Sequence, residues 1–296
     1  MNIAVTGFSG LLGRTLQDCW HGDDIFVDMY HRHPTDKQHI QHISLDLLDQ
    51  KNIVQTLRQV HPDVIIHMAA MTHIDACELD KQQGKAGAVW KINVDATRAI
   101  GTYAAETGAH VVYLSTECVF DGEKDMYKEH EEKHPKNWYG ETKSEGENAL
   151  LSLGIDLSII RSVIAYRPMD STTVFGKIVD AYKKGIKFPA VSNQFFMPTH
   201  AEDIISAIEH ITHNHLFGTF HIVPPEHITP LSFALEIGTH FGYDTSLVYG
   251  QTLEEYFGIE RAKLRLKHAC LDAALSQKVL GKSARIVREV LRKLSK

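Results

Sequence analysis

The chain has 296 residues, of which 43% are hydrophobic and 23% are charged, and its formal net charge is −6. These proportions are typical of a globular protein and exclude disordered, collagen-like and disulfide-scaffold classes. The four cysteines are far apart and form no C-x-x-C pair, which argues against disulfides and a zinc site and favours a reducing, cytoplasmic location. There is no long apolar run, and only the C-terminal segment is basic, so we expect neither a membrane nor a nucleic-acid partner.

Strand-like and helix-like stretches alternate through the first half of the chain, which predicts a parallel sheet with helical crossovers. The strands are expected at 2–6, 24–29, 63–68, 110–115 and 156–164, and the helices from about 11 and at 52–60, 87–107 and 138–151. The alternation of strand-like and helix-like stretches changes after residue 166. Helices at 173–184 and 200–211 and a strand at 218–223 precede a turn-rich break, two or three further helices, and a basic C-terminal helix over 285–296.

These elements predict an α/β fold with two parts. The larger part is a doubly wound parallel sheet of Rossmann type, formed by 1–165 and completed by about 190–223. The smaller part is a C-terminal α/β lobe for the substrate, formed by 166–189 and 224–296. No internal repeat and no low-complexity segment interrupts this organisation.

The turn between the first strand and the first helix has the spacing G-x-x-G-x-x-G. The first glycine permits a tight turn, the second lets the backbone approach a pyrophosphate, and the third allows the helix to pack closely on the strand. The start of the helix offers unpaired N–H groups to the anion. We therefore predict a dinucleotide site that includes Gly7, Ser9, Gly10, Leu11, Leu12 and Gly13.

The choice between NAD and NADP rests on residues near the end of the second strand. We expect Asp28 to end that strand, where its carboxylate would accept hydrogen bonds from a ribose and repel a 2′-phosphate, which favours NAD. His31 and Arg32 follow at once, and Arg14 stands next to the last glycine. These cations could pair with the phosphate of NADP or simply be solvated, so both cofactors stay open.

Tyr139 and Lys143 open a predicted helix with a spacing of four residues, which places both side chains on one face. An ammonium near a tyrosine hydroxyl favours the phenolate and brings proton exchange closer to neutrality. Carbonyl reduction requires such an acid, because hydride goes to carbon and a proton goes to oxygen. Ser115 and Thr116 end a buried strand, where open α/β sheets place their ligands, and a hydroxyl there can bond the same oxygen.

This combination resembles the extended short-chain dehydrogenase/reductase family and, within it, the dTDP-4-dehydrorhamnose reductases. The resemblance covers nearly the whole chain, including the glycine turn and the strings HPDVIIHMAA, INVDAT, YLSTECVFDG, NWYGETKSEGE, NQFFMPTHAEDI and RLKHACLD. It implies that Thr116, Tyr139 and Lys143 are catalytic and that the last two also contact the cofactor. It further implies that Asp46 and Leu47 lie near the adenine, that Ala69 and Ala70 line the dinucleotide cleft, and that Asn93 supports the active site.

Some positions depart from the family pattern. Glu117 and Cys118 stand where the family usually has Asp-Tyr, and Asn193 replaces an acid before Gln194. By the resemblance these four residues face the sugar substrate. The regulatory β subunit of methionine adenosyltransferase has a similar pattern, with matches to the strings GLLGR and GTFH.

We expect an NAD(P)H-dependent reductase of a 4-keto-6-deoxy sugar attached to a nucleoside diphosphate. A nucleotide-binding regulatory subunit that does not turn over is the alternative from another class, and an epimerase or dehydratase is a third. Besides the nucleotide-sugar substrate, a second copy of the chain in a homodimer is a candidate partner. The 19 histidines show no metal-ligand spacing, so no metal is expected.

Overall fold

A computed structural model describes residues 1–31, 33–34 and 40–294 of the chain. Its centre is a parallel sheet of seven strands in the order β11-β6-β5-β4-β1-β2-β3. These strands are β1 (Asn2–Thr6), β2 (Ile25–Tyr30), β3 (Gln41–Ser44), β4 (Val64–His67), β5 (His110–Thr116), β6 (Leu157–Ser162) and β11 (Gly218–His221). The doubly wound α/β architecture expected from the sequence is thereby confirmed.

Helices cover both faces of this sheet, as the continuous apolar strands require. The helices of this part are α1 (Leu11–Cys19), α2 (Gln50–Val60), α3 (Ile74–Asp80), α4 (Ala88–Trp90), α5 (Ala96–Thr107), α6 (Trp138–Leu151) and α8 (Ala201–His213). Alternate residues of a strand serve opposite faces. In β1, Ile3 and Val5 pack with α1 and α8, whereas Ala4 packs with α2 and α5.

The long helix expected over 87–107 contains an irregularity. A π-helical turn over Lys91–Asp95 connects α4 to α5. Such turns place one extra residue in the helix and often occur at functional sites. Here the turn carries the buried side chain of Asn93, which is described with the site below.

The second lobe has its own small strands and its own core. Its strands are β7 (Ala165–Tyr166), β8 (Phe188–Val191), β9 (Phe195–Phe196), β10 (Thr199–His200), β12 (Val248–Gln251) and β13 (His268–Ala269). Its helices are α7 (Val174–Lys183), α9 (Pro230–Phe241), α10 (Leu253–Phe257), α11 (Ile259–Ala262), α12 (Ala274–Leu280) and α13 (Val287–Lys293). Its core is aromatic, with stacked Tyr166 and Phe175 against Phe233.

The pairing of these strands bears on the boundaries of the two parts. The pairs are β8 with β12, β9 with β13, and β7 with β10. Residues 188–196 therefore pair within the second lobe and not with the large sheet, contrary to the placement of about 190–223 with the first domain. The chain returns to the large sheet with α8 and β11. The two-part division itself stays a prediction.

No helix within the described part of the chain is both long enough and apolar enough to cross a membrane.

Two glycines of α6 allow this helix to pack closely on its neighbours. A Cβ atom on Gly140 would overlap the carbonyl oxygen of Cys118, and one on Gly146 would overlap the hydroxyl of Tyr113. By contrast, the nearest atoms to a Cβ atom on Gly101 of α5 are the ends of leucine and isoleucine side chains, which can move. The sequence at these two positions of α6 thus determines how near the helix comes to the end of β5.

We expect Gly140→Ala to lower the free energy of unfolding by about 1–3 kcal/mol, because backbone must shift to admit the methyl group. The matched variant Gly101→Ala makes the same change inside a helix, and its effect should stay within about 1 kcal/mol. Urea denaturation of both variants measures the difference. Equal stability of the two variants would contradict the close contact.

Candidate active site

A cleft of about 610 Å³ opens at the carboxyl ends of β1, β4, β5 and β6, where the second lobe faces the large sheet. Open α/β sheets place their ligands at this edge. The residues predicted from the sequence that line this cleft are Gly7, Gly10, Leu11, Leu12, Thr116, Glu117, Cys118, Tyr139 and Gln194. The cleft therefore brings the predicted dinucleotide turn and the predicted catalytic residues together.

The glycine turn has the geometry of an anion-binding loop. Gly7 has a φ of +77°, and a Cβ atom there would lie 2.9 Å from the backbone nitrogen of Ala69. Gly10 precedes α1, and no side chain caps the helix. The first N–H groups of a helix lack internal partners, so they remain available to an anion in the cleft.

The third glycine allows a close approach at the start of α1. A Cβ atom on Gly13 would overlap the backbone of Phe8, which belongs to the same turn. Gly13 therefore lets α1 lie directly against the backbone that follows β1. Ser9 is exposed, and its carbonyl accepts a hydrogen bond of 2.9 Å from Arg14.

The residues that follow β3 and β4 lie at the same edge of the sheet. Asp46 and Leu47 come directly after β3, and the Asp46 carboxylate accepts a hydrogen bond from the backbone of Leu48. Ala69 and Ala70 follow β4, and the Ala69 N–H donates to the Thr6 hydroxyl over 3.2 Å. Ala69 lies against Gly7 of the glycine turn, and none of these four predicted cofactor residues lines the cleft itself.

The expectation for Asp28 is wrong in one respect. Strand β2 continues to Tyr30, so Asp28 does not end the strand. Its side chain is 0% exposed and lies 3.2 Å from the imidazole of His42, its neighbour on β3. The carboxylate is therefore enclosed and in contact with β3. Asp28 therefore supplies no argument for NAD over NADP.

The candidate phosphate partners have other contacts. Arg14 forms an ion pair of 2.8 Å with Asp170 of the second lobe. Burial tends to raise the pKa of Asp170, but bonds from Thr172 and Arg14 hold it at about 2. His31 lies 3.8 Å from Asp46. Arg32 falls outside the described residues.

The end of β5 brings four polar residues to the cleft. Ser115 donates a hydrogen bond of 2.6 Å to Glu147, so its hydroxyl is directed away from a ligand. Thr116 donates to Glu117 over 2.7 Å and accepts from the backbone of Cys118. Burial raises the pKa of the Glu117 carboxyl and raises that of the Cys118 thiol well above its usual value. Both groups are therefore biased toward their neutral forms.

Helix α6 carries Tyr139 and Lys143. Asn137 caps its start by accepting a hydrogen bond from Gly140. Burial raises the pKa of the Tyr139 hydroxyl well above its usual value, and any negative charge on Cys118 or Glu117 would raise it further. The tyrosine is therefore a neutral acid at physiological pH.

Lys143 follows Tyr139 by one turn of α6, and its effect on the tyrosine hydroxyl stays a prediction. Its ammonium donates a hydrogen bond of 2.6 Å to the Leu114 carbonyl and lies 3.8 Å from the centre of the Tyr113 ring. Burial lowers its pKa to about 7, although the charge of Glu147 opposes this shift. Lys143 therefore loses its proton far more readily than an exposed lysine does.

Asn93 connects three segments around the site. Its side chain donates to the Met71 carbonyl and to the Thr142 hydroxyl, each over 3.0 Å, and accepts from the Met71 N–H. It therefore joins the π-helical turn to α6 and to the loop after β4. The supporting position that the resemblance implies for this residue is consistent with these bonds.

The second lobe carries two residues predicted to face the substrate, Asn193 and Gln194, and one cleft residue that the sequence did not indicate. Asn193 accepts a hydrogen bond from the Leu253 backbone and does not line the cleft, contrary to its expected contact with substrate. Gln194 lines the cleft and donates to the Leu266 carbonyl. Arg265 also lines the cleft, and among the described lining residues it is the only cation. It stands in the string RLKHACLD, but nothing in its local pattern indicates a ligand.

The cleft thus combines a helix N-terminus that can bind an anion, a hydroxyl at the end of a strand, and a buried neutral phenol. An acid of this kind can give its proton to an oxygen atom as negative charge develops there. The cation on the opposite wall adds a second place for negative charge.

Comparisons with known proteins agree with this arrangement. The family model described as "RmlD substrate binding domain" matches residues 1–296. The chain is 27% identical to the "Probable low-salt glycan biosynthesis reductase Agl14" of Haloferax volcanii, over 94% of this chain and 91% of that protein. It is 28% identical to the methionine adenosyltransferase 2 subunit beta of Pongo abelii, over 88% and 78%. A dTDP-4-dehydrorhamnose reductase structure from Clostridium acetobutylicum has 26% identity and a TM-score of 0.82, over 99% and 98%.

We expect Gly10→Val to weaken dinucleotide binding by about tenfold or more, because its side chain would fill space beside the start of α1. Gly10 is exposed and a Cβ atom there would lie 3.1 Å from the Gly7 carbonyl oxygen, so the variant should stay folded with only a small fall in the unfolding midpoint. Gly13→Val should lower that midpoint further, since it displaces the backbone of the turn. Titration with NADH and NADPH and thermal unfolding separate the two effects. Unchanged affinity in a folded Gly10→Val protein would refute the site.

Proposed function

We propose a reductase function for this chain, which belongs to the RmlD substrate binding domain family. Its substrate would be a 4-keto-6-deoxy sugar linked to a nucleoside diphosphate, and its cofactor NADH or NADPH. The observation that carries the proposal is one cleft that holds the glycine turn together with Thr116 and Tyr139. Two similar proteins named as reductases support it, one from Haloferax volcanii and one from Clostridium acetobutylicum.

The residues present fit a dinucleotide. The uncapped start of α1 offers N–H groups to a pyrophosphate, and Gly7 keeps the turn close to the loop after β4. Lys143 lies at the end of β5, where its ammonium could also bond a ribose hydroxyl. A bound nicotinamide would supply the hydride. We leave the choice between NADH and NADPH open, because Asp28 is buried.

The proton would come from Tyr139. Burial keeps this phenol protonated, and a buried acid gives up its proton when a neighbouring oxygen becomes strongly basic. Thr116 would orient the substrate carbonyl, after turning its hydroxyl hydrogen from Glu117 toward the ligand. Lys143 would stabilise the phenolate that remains, because a positive charge near it lowers the free energy of the ionised form.

The diphosphate would face the second lobe. Arg265 is held by an ion pair of 2.8 Å with Asp75 of α3, and its guanidinium lies over the Phe257 ring at 4.5 Å. A guanidinium held in this way presents donors that match phosphate oxygens. Gln194 and Glu117 complete the polar lining and would contact the sugar.

Tyr139→Phe should reduce turnover by about 10²–10⁴-fold, the usual contribution of a general acid. Cofactor affinity and stability should change little, since only one hydroxyl is removed. Oxidation of NAD(P)H with dTDP-4-keto-6-deoxy sugars measures the effect. Wild-type turnover in this variant would show that another group donates the proton.

Arg265→Met should raise the KM for the nucleotide sugar by about tenfold to a hundredfold, because it removes charged hydrogen bonds to the diphosphate. Affinity for NAD(P)H should stay unchanged. The matched control is Arg261→Met, which removes the same charge from an exposed side chain outside the cleft lining. If the two variants have equal KM values, Arg265 does not bind the substrate.

A regulatory subunit is the second candidate. It is favoured by 28% identity over most of the chain to the methionine adenosyltransferase 2 subunit beta of Pongo abelii. The reductase and regulatory functions differ in one measurement, which is reduction of a nucleotide sugar by the wild-type protein. Tight NAD(P)H binding without reduction of any tested sugar would favour the regulatory function.

A further inference from the structure

A buried charged cluster lies directly behind the candidate active site. Its centre is Glu147 on α6, whose side chain is 0% exposed. Arg161 of β6 donates to both carboxylate oxygens, at 2.9 and 2.7 Å. Ser115 donates to the same carboxylate at 2.6 Å and Lys133 at 3.1 Å. Four donated hydrogen bonds therefore hold one carboxylate between two strands and a helix.

The cluster is connected to the residues proposed as catalytic. Glu147 follows Lys143 by one helical turn, and these two side chains contact consecutive residues of β5. Lys143 bonds the Leu114 carbonyl, and Glu147 bonds the Ser115 hydroxyl. Since Thr116 comes next on the strand, these two bonds set the position of the strand end relative to α6.

We propose that Glu147 is a positioning residue that holds the end of β5 against α6 and, through its negative charge, keeps Lys143 protonated. The structure shows no contact of Glu147 with the cleft, so its effect on any reaction must act through Ser115 and Lys143. Only the tests that measure turnover depend on the proposed reductase function. The effect of Glu147 on the ionisation of Lys143 can be tested without it.

The ionisation of Glu147 is secured by its neighbours. Burial alone would raise the pKa of its carboxyl group, but the bonds from Arg161 and the charges of Arg161 and Lys133 hold it at about 2. The carboxylate therefore stays charged at every pH at which an enzyme is normally assayed. His221, on β11, lies 3.5 Å from Arg161, and burial lowers its pKa to about 4, so it adds no charge near neutrality.

Lys143 is surrounded by groups that are neutral near pH 7. Burial lowers the pKa of His67 on β4 to about 3. Burial also raises the pKa values of Tyr113 and Tyr139, so neither is ionised. Glu147 is therefore the charged group that favours the ammonium form, with Arg161 and Lys133 behind it partly cancelling its field.

The sign of the pH effect follows from these charges. Lys143 has a pKa of about 7 in the folded protein, so its ammonium is lost as the pH rises through neutrality. Removal of the negative charge at Glu147 should move this midpoint to lower pH, by about one unit. Removal of the positive charge at Lys133 should move it the other way, by a few tenths of a unit.

We would test this with Glu147→Gln and Lys133→Met in the full chain labelled with ¹³C at the lysine ε position. NMR follows the Lys143 resonance with pH, and Lys143→Arg identifies it by loss of the signal. This measurement requires no turnover. The pH profile of kcat/KM, which reports ionisations of the free enzyme, should show the same displacements on its alkaline side if the reductase function is correct.

Opposite shifts of the Lys143 midpoint in the two variants would support the proposal. Equal midpoints in wild type and both variants, or shifts in the same direction, would overturn it. Glu147→Gln leaves two cations without their buried partner and could fail to fold. In that case Lys133→Met is the deciding variant, because it removes a partly exposed cation and leaves the pair of Glu147 with Arg161 in place, and an unchanged midpoint there would overturn the proposal. Correct midpoints without any turnover would contradict only the reductase function.

Ser115→Ala tests the positioning part separately. It removes one hydrogen bond and no charge, so the Lys143 midpoint should stay at its wild-type value while kcat falls by about two- to tenfold. KM should change less than kcat, because the Ser115 hydroxyl is directed toward Glu147 and away from the substrate. An unchanged kcat would show that this bond does not position the strand end.

Discussion

Helix α6 can lie against the end of β5 only because two of its residues have no side chain. Gly140 meets the turn that follows β5, and Gly146 meets Tyr113 on the strand itself. This close approach has a consequence for every polar group between the two elements. Lys143 loses almost all contact with water and Tyr139 is partly buried, and burial disfavours the charged forms of both groups. The chemistry of the cleft therefore depends on a packing constraint.

The parts of the structure that could be predicted from sequence are those with a local cause. The bounds 138–151 for α6 agree with the structure, because Asn137 provides a cap and Glu141 adds an acidic side chain to the first turn. The glycine turn is equally local, since its spacing requires only a strand before it and a helix after it. The proximity of this turn to Thr116 and Tyr139 followed from the rule that parallel strands place their ligands at one edge.

The missed features depend on contacts between distant segments. Strand β3 is polar and lies at the edge of the sheet, so no apolar run indicates it. The burial of Asp28 results from its pairing with β3, which the sequence around Asp28 cannot show. Arg265 reaches the cleft through a pair with Asp75, 190 residues away in the chain. The bonds of Asn193 to Leu253 likewise join segments that no spacing rule connects.

Burial has different consequences for the ionisation of the two residues of the tyrosine–lysine pair. A buried phenol that stays neutral is suited to donate a proton, but the phenolate left behind would be costly in the same surroundings. A buried lysine tends to lose the charge that could offset this cost. Only a third group can both keep the lysine protonated and so offset the cost of the phenolate. This group must be negatively charged, buried and hydrogen-bonded by its own partners. Glu147 has these properties, because Arg161 and Lys133 neutralise it on the side away from the cleft, and α6 places it one turn beyond Lys143. The pair and its support are therefore on one helix, and the spacing between them follows from the helical repeat.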